Sequence, residues 1–228
     1  MGHAILAALC LWSCILTVTP ALNEEQVGRA TAYIHQHFTR QFTYEFAYFV
    51  KFDQQECNRG LTTQDLQNAL REENKDVMFR EVDAFRIYEG KRMVACSYQT
   101  YKKRNQEYSI HAEYRLLDGA TNSPISRLMF KDPFGSCGIL YSRYSPCVSK
   151  CLLPSGTYNI IDKMSTSILP QDKVFAFAEV FHHDKGKEQE VWNSWRTLNG
   201  NIHLYRCTGN NCLQCFKNGV QQNQCYNA

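Results

Sequence analysis

Four residues in two short motifs have the types and spacing required for metal-assisted catalysis. His111 and Glu113 are separated by one residue, and Cys147 and Cys151 by three. One imidazole and two thiolates give a tetrahedral zinc ion three protein ligands and leave the fourth position open for water, as in catalytic sites. Glu113 is not needed as a ligand and is available to transfer protons. The sequence therefore predicts one catalytic Zn²⁺ bound by His111, Cys147 and Cys151, with Glu113 as the catalytic acid and base.

Each of these residues also has a simpler interpretation. A single histidine is more often a buried packing residue than a ligand. If Cys147 and Cys151 lay on one helical turn, their Cα atoms would be close to the ~4.4–6.8 Å separation that permits a disulfide. We favour zinc because the histidine, the glutamate, Pro146 and both cysteines occur together and in this order.

The first 21 residues predict a cleaved secretory signal. An uncharged apolar run over residues 5–16 is followed by Thr19-Pro20-Ala21, and the first charged side chain is Glu24. The run is too short for a membrane-spanning helix, and no later stretch approaches that length. We expect residues 1–21 to be removed and residues 22–228 to form one secreted, extracellular domain without a membrane partner.

Nine of the eleven cysteines follow the predicted signal. Outside the cell, cysteines that bind no metal are expected to form disulfides. With Cys147 and Cys151 assigned to zinc, the disulfide candidates are Cys57, Cys96, Cys137, Cys207, Cys212, Cys215 and Cys225. Their number is odd, so one is expected to be free, capped or joined to another chain. Cys212 and Cys215 could instead hold a second zinc ion near His203, but one such pair is a weak signal and we favour disulfides.

Hydrophobic periodicity alternates between helical and strand patterns along the domain. Apolar residues at helical spacing predict helices over about 24–39, from Thr62 to about 70, over 111–117, from Cys147 onward with a resumption over 158–164, and over 191–198. Runs rich in β-branched and aromatic residues predict strands over 43–52, 82–88, 92–100, 138–142, 174–181 and 202–205. This alternation predicts an α/β fold in which helices cover both faces of a mixed sheet.

Residues 111–118, 140–147 and 175–181 resemble three successive blocks of the AID/APOBEC deaminases. The pattern of that family is His-x-Glu, then Ser-Pro-Cys, then a second cysteine after two to four intervening residues; here three residues intervene. With its signal and extra cysteines, the chain is most similar to the secreted branch described from fish. The resemblance implies a cytidine-deaminase-like fold with a five-stranded mixed sheet, followed by a disulfide-rich tail over 207–228. Two departures are Tyr144, where the family usually has Trp, and residues 53–92, which we interpret as an insertion.

The resemblance also implies roles for individual residues. Both metal motifs would open helices, whose N-termini lower the pKa of a cysteine thiol. Glu113 would take a proton from water, pass it to the ring nitrogen of the base and later protonate the departing ammonia. Tyr144, Ser145, Phe181 and His182 would contact the substrate, with Tyr144 stacked on the target base. Ordinary sheet packing is an equal alternative for Tyr144, and simple solvation is the alternative for His182.

Three functions are consistent with these observations. The first is deamination of cytosine to uracil in single-stranded DNA or RNA, with a role in immune defence. The second is deamination of free cytidine or deoxycytidine, which a net charge of only +3 favours. The third is a catalytically inactive, disulfide-rich binding protein on the same scaffold. The basic run Lys102-Lys103-Arg104 is either a solvated turn or a phosphate contact. The sequence does not distinguish cytosine from adenine, DNA from RNA, or one oligomeric state from another.

Overall fold

The computed structural model describes residues 22–104, 106–131 and 136–227. The signal peptide predicted over residues 1–21 lies outside this range. Seven strands form one sheet, and from one edge to the other they are β2 (Tyr88–Glu89), β3 (Met93–Ser97), β1 (Phe46–Asp53), β6 (Ser136–Tyr144), β7 (Asp172–Glu179), β8 (His203–Thr208) and β9 (Asn211–Gln214). Strands β6, β7 and β8 run parallel, and the other neighbouring strands run antiparallel.

The sheet is wider than the five strands predicted. Strands β3, β1, β6, β7 and β8 form its centre, and two short strands extend its edges. β2 pairs with β3 through two residues, and β9 pairs with β8 through four. Strands this short carry too few residues to show a period-two pattern, so the sequence did not reveal them. The mixed sheet between helices agrees with the predicted α/β fold.

Helices cover both faces of the sheet. The first face is covered by α1 (Glu24–Ile34), α2 (Gln54–Asn58), α3 (Thr63–Ala69) and α4 (Lys75–Asp83), and the second by α5 (Ala112–Leu117), α6 (Pro124–Phe130), α7 (Ile160–Thr166) and α8 (Glu188–Asn199). The central strand β1 serves both cores. Its Tyr48 and Val50 belong to the cluster on the first face, whereas Ala47 and Phe49 belong to the cluster on the second. Successive side chains of a strand alternate in this way between the two faces.

Helix α1 begins where the sequence predicts. The Asn23 side chain accepts a hydrogen bond from the Gln26 N–H, and the Gln26 side chain accepts one from the Asn23 N–H. This reciprocal pair is a capping box, which satisfies two backbone donors at the helix start. After Ile34 the chain continues as a π-helical turn over His35–Thr39, so helical structure ends at the predicted residue.

Most of residues 53–92 is helical. The strand predicted over 82–88 is wrong, because α4 extends to Asp83 and only the last residue of that range enters β2. Met78 and Val82 are both buried on one face of α4. Apolar residues four apart favour a helix, and this spacing overrides the short alternation that follows it.

A hairpin outside the main sheet precedes α5. Among the residues that the structure describes, strands β4 (Gln99–Lys103) and β5 (Gln106–Ile110) pair only with each other. The strand predicted over 92–100 is therefore divided: β3 ends at Ser97, and the chain turns at Tyr98 into β4. Polar and basic residues dominate β4 and β5, which is why neither strand was predicted as a separate element.

Six of the seven disulfide candidates are paired. The disulfides are Cys57–Cys137, Cys207–Cys212 and Cys215–Cys225. The last two stabilise the tail, which contains β9, β10 (Phe216–Lys217), β11 (Val220–Gln221) and α9 (Gln224–Asn227). Cys96 is the unpaired cysteine that the odd number of candidates requires: its thiol is free and buried under α5, where it donates to the Ala112 carbonyl at 3.3 Å. Among the described residues, every helix is too short or too polar to cross a bilayer.

Candidate active site

The two predicted motifs meet at the end of the sheet where the parallel strands have their carboxyl ends. His111 is the residue between β5 and α5, and Glu113 lies in the first turn of α5. Cys147 follows the carboxyl end of β6, which runs parallel to β7. Ligands of open α/β sheets bind at this end of parallel strands. Because α5 packs against β1, β3 and β6, it brings the first motif to the same end of the sheet as the cysteines.

Three possible metal ligands converge in a buried site. Nδ1 of His111 lies 3.7 Å from Sγ of Cys147 and 3.3 Å from Sγ of Cys151, and the two Sγ atoms are 3.5 Å apart. Nitrogen and sulfur ligands of one tetrahedral zinc ion, bound at ~2.1 Å and ~2.3 Å, are separated by about 3.6 to 3.8 Å. The three residues are buried, and their donor atoms fit one metal ion.

The two sulfur atoms do not form a disulfide. Bonded sulfur atoms are ~2.05 Å apart, whereas Cys147 and Cys151 keep their Sγ atoms 3.5 Å apart as free thiols. Both cysteines therefore remain available as ligands. The inactive, disulfide-linked alternative consequently loses its main support at this position.

The helix predicted to start at Cys147 does not form. Residues 148–152 make successive turns, in which the Leu152 N–H donates to the Cys147 carbonyl at 3.0 Å. Pro154 lacks a backbone donor, so it cannot continue a helix from these turns. The sulfur atoms still face the same side, because the Cys151 N–H donates to Sγ of Cys147 at 3.4 Å.

Hydrogen bonding and burial set the protonation states of the three donors. Hydrogen bonding with Cys151, together with the contact with His111, outweighs burial and lowers the pKa of Cys147 to about 4. Burial raises the pKa of Cys151. Burial opposes the charged form of His111, but its hydrogen bond with Cys147 and the neighbouring carboxylates raise its pKa to about 9. Zinc binds deprotonated ligands, so its binding would release protons from this group.

Glu113 is a buried carboxyl group with one unused oxygen. Its side chain is only 2% exposed, and Oε1 accepts from the Cys151 thiol at 3.3 Å. Within the described part of the chain, Oε2 has no hydrogen-bond partner. Burial, and next the negative charge of Glu45, raise the pKa of Glu113 to about 7. A carboxyl group with a pKa near neutrality is well suited to both accept and donate a proton.

Sequence reasoning missed a second carboxyl group, that of Glu45. Its Oε1 accepts a hydrogen bond from the Ala112 N–H at 3.1 Å and lies 3.9 Å from Nδ1 of His111. Burial raises the pKa of Glu45. Glu45 directly precedes β1 and is 66 residues from His111 in sequence, so only the strand order brings it to the site. No local motif marks it.

The predicted substrate residues line the side of the site next to His111. The ring of Phe181 lies 5.5 Å from that of His111, 6.2 Å from that of Tyr144 and 4.6 Å from that of His182. Tyr144 and His182 are partly or fully exposed, so they form an aromatic wall open to solvent. Ser145 differs, because it is buried and its hydroxyl oxygen accepts from the Phe181 N–H at 3.0 Å. Its contact holds the aromatic loop against the cysteine turn.

A mixed sheet between helices that carries one histidine, two cysteines and an adjacent glutamate is the arrangement typical of zinc-dependent deaminases. Comparison with known families agrees with this class. The model of the family described as Secreted Novel AID/APOBEC-like Deaminase 2 matches residues 27–225, and the chain belongs to that family. No curated protein and no solved structure matches the chain.

Proposed function

We propose that this protein is a secreted zinc-dependent deaminase that converts cytosine to uracil in single-stranded nucleic acid, with a role in immune defence. The observation that carries the proposal is the unpartnered Oε2 of Glu113 beside three converging metal donors. A buried acceptor without a partner costs free energy in the folded protein. Such a cost is expected where a substrate or water completes the hydrogen bonding.

The residues of the chain divide the reaction between them. His111, Cys147 and Cys151 would hold zinc, which supplies Lewis-acid activation of water. Glu113 accepts a proton from a water molecule and delivers it to the ring nitrogen of cytosine, while the water oxygen bonds to C4. Glu113 then takes the proton of the new C4 hydroxyl and transfers it to the exocyclic amine, so that the C4–N bond breaks and ammonia leaves. Water and cytosine thus yield uracil and ammonia, and Glu113 returns to its starting state.

The aromatic wall supports a flat, unstacked base as the substrate. Bases splayed out of a single strand stack on aromatic side chains, whereas paired bases in a duplex are inaccessible. Tyr144 is partly exposed and offers such a face beside the buried Phe181, whose ring lies 5.5 Å from that of His111. The three disulfides support export, since they persist in oxidising compartments.

The proposal is tested with the Glu113→Gln variant of the secreted protein. We expect zinc content to stay near that of the wild type, while uracil formation in a cytosine-containing oligonucleotide falls by about 10²- to 10⁴-fold, because proton transfer is lost. Glu190→Gln, an exposed glutamate of α8, is the matched control and should retain activity. Free cytidine is assayed in parallel. A zinc-loaded wild-type protein that leaves both substrates unchanged would contradict the proposal.

A further inference from the structure

The β4–β5 hairpin extends from the candidate active site and is continuous with it. Its last residue, Ile110, directly precedes His111. At its base, Nζ of Lys150 donates to Oγ of Ser109 at 2.9 Å, which joins the hairpin to the turn that carries both cysteines. In the described part of the chain, the hairpin pairs with no strand of the main sheet, and side-chain contacts such as this one join it to the rest of the domain.

Two tyrosines stack across the hairpin. Tyr101 and Tyr108 are directly opposed in the strand register, and their ring centroids are 5.4 Å apart with an 18° angle between the planes. Each is 37% exposed. A hydrogen bond of 2.7 Å between the hydroxyl groups of Tyr101 and Tyr158 orients the Tyr101 ring. The pair is therefore an ordered aromatic surface that keeps contact with solvent.

The hairpin also carries an excess of positive charge. The tip of the hairpin, here called the charged turn, carries Lys102 and Lys103 at the end of β4 and Arg104 after it, whereas the two strands contain one acid, Glu107. Lys102 and Arg104 are exposed. Basic side chains next to exposed aromatic rings are the combination that binds single-stranded nucleic acids, through phosphates and base faces respectively.

We infer that the β4–β5 hairpin is a stacking platform for the nucleic-acid strand that flanks the target base. The inference rests on the proposed function, because it requires that the nucleic-acid strand bound at the active site continues onto the hairpin. Tyr108 is three residues before His111, so at ~3.3 Å per residue it lies about 10 Å along the strand. That distance corresponds to about three stacked nucleotides. A duplex hides its base faces, and an acidic peptide lacks them, so an unpaired strand fits this surface best.

The platform is tested by equilibrium binding of a labelled thymine-only oligonucleotide of about 15 nucleotides. This probe contains no cytosine, so its binding does not depend on turnover. Tyr101→Leu and Tyr108→Leu keep apolar bulk in the hairpin but remove the aromatic faces. We expect each to weaken binding at least about fivefold, which corresponds to the lower limit of about 1 kcal/mol for stacking of one base. Tyr101→Phe and Tyr108→Phe keep the faces and should bind like the wild type.

Phe130→Leu is the matched control for loss of an exposed ring. Phe130 is 59% exposed and lies at the opposite end of the sheet, where the adjacent Lys131 donates to the Gly90 carbonyl at 3.1 Å. Its replacement should leave affinity unchanged. Zinc content and the unfolding midpoint of every variant are measured as well, so that misfolded protein is recognised. A leucine variant that misfolds is replaced by the tryptophan variant at the same position, which is expected to bind the oligonucleotide.

The salt dependence of binding tests the charged turn. For single-stranded nucleic acid, log affinity falls linearly with log salt concentration, and each lost phosphate contact makes this slope shallower by about 0.7. We expect this reduction for Lys102→Ala and Arg104→Ala. An unchanged slope in both variants would overturn the part assigned to the turn.

The outcomes separate this inference from the proposed function. The platform is overturned, even if uracil is formed, when the leucine variants bind the probe like the wild type. It is also overturned when the wild type does not bind the probe, or binds a duplex or a poly-glutamate peptide more tightly. If the leucine variants lose affinity but the wild type forms no uracil, the platform stands and the proposed reaction fails. Loss of affinity in the leucine variants with retention in the phenylalanine variants supports the platform.

Discussion

At the scale of single residues, the site combines donors that the sequence identifies with a carboxyl group that it does not. His111, Glu113 and the two cysteines belong to short motifs whose spacing reflects their chemistry. Glu45 belongs to no motif and reaches the site through the pairing of β1 with β3. Its carboxylate accepts from the first N–H of α5. This hydrogen bond satisfies a backbone donor that has no partner within the helix.

Glu45 is therefore predicted to position the start of α5, and with it His111 and Glu113. Glu45→Ala removes the acceptor of the Ala112 N–H, and we expect it to lower the free energy of unfolding by about 1 kcal/mol, as for loss of a helix cap. Glu45→Gln keeps an oxygen acceptor and should lose less than half of that. Urea denaturation of the zinc-loaded variants measures the difference.

Activity gives a second test of Glu45. If it positions the catalytic groups, turnover should fall in Glu45→Ala, while the Michaelis constant changes little and Glu45→Gln recovers most of the loss. Equal stability and equal turnover in the alanine and glutamine variants would show that the hydrogen bond to Ala112 has no positioning role.

At the scale of elements, the sequence predicts those with long periodic patterns. Helices α1, α5 and α8 and strands β1, β6, β7 and β8 lie within a few residues of their predicted positions. The errors have identifiable causes. The helix predicted from Cys147 fails because Pro154 follows within two turns. Strand 82–88 fails because Met78 and Val82 place their apolar side chains on one helical face. The polar hairpin and the short edge strands carry no hydrophobic period at all.

The disulfide pattern shows a different limit of prediction. An odd number of candidates required one unpaired cysteine, but the sequence did not identify it. Cys96 is that residue, because its buried side chain on β3 is enclosed by α5 and its thiol donates to the Ala112 carbonyl. Pairing depends on three-dimensional distance between Cβ atoms, and sequence spacing alone does not determine it.

The Cys57–Cys137 disulfide is predicted to stabilise the protein more than Cys215–Cys225. The first closes a sequence separation of 80 residues and the second one of 10. Under the chain-entropy model, these loops correspond to about 4.5 and about 2.7 kcal/mol of stability. Urea denaturation of the two double alanine variants should therefore give a larger loss for the first pair.

Two results frame that comparison. Cys96→Ala removes no disulfide and serves as the control for loss of a buried thiol, with an expected cost below that of either pair. A larger loss on removal of Cys215–Cys225 would mean that contacts within the tail, rather than loop entropy, determine the contribution of each disulfide.

At the scale of the whole molecule, the two hydrophobic clusters on either side of the sheet consist mostly of side chains that are not metal donors. Buried side chains of β1, β6 and β7 fill both faces along the sheet, and of the described cluster residues Cys147 and Cys151 are also candidate ligands. A domain of this length can bury a full core without a metal. We therefore expect the metal-free protein to remain folded, with the metal adding stability instead of creating the fold.

Removal of the metal measures how much stability the bound metal adds. A ligand that binds only the folded state stabilises it by about 4 kcal/mol at a free concentration one thousand times its dissociation constant. For a domain of this size, about 2 to 4 °C of melting temperature corresponds to each kcal/mol. Zinc added to chelator-treated protein should therefore raise the melting temperature by about 8 to 16 °C. Cys147→Ser keeps the size of a ligand but weakens its affinity for zinc, so its melting temperature should respond far less. If zinc leaves the wild-type melting temperature unchanged while Cys147 and Cys151 are shown to be reduced, the three donors do not form a metal site, because a bound ion must stabilise the state that binds it.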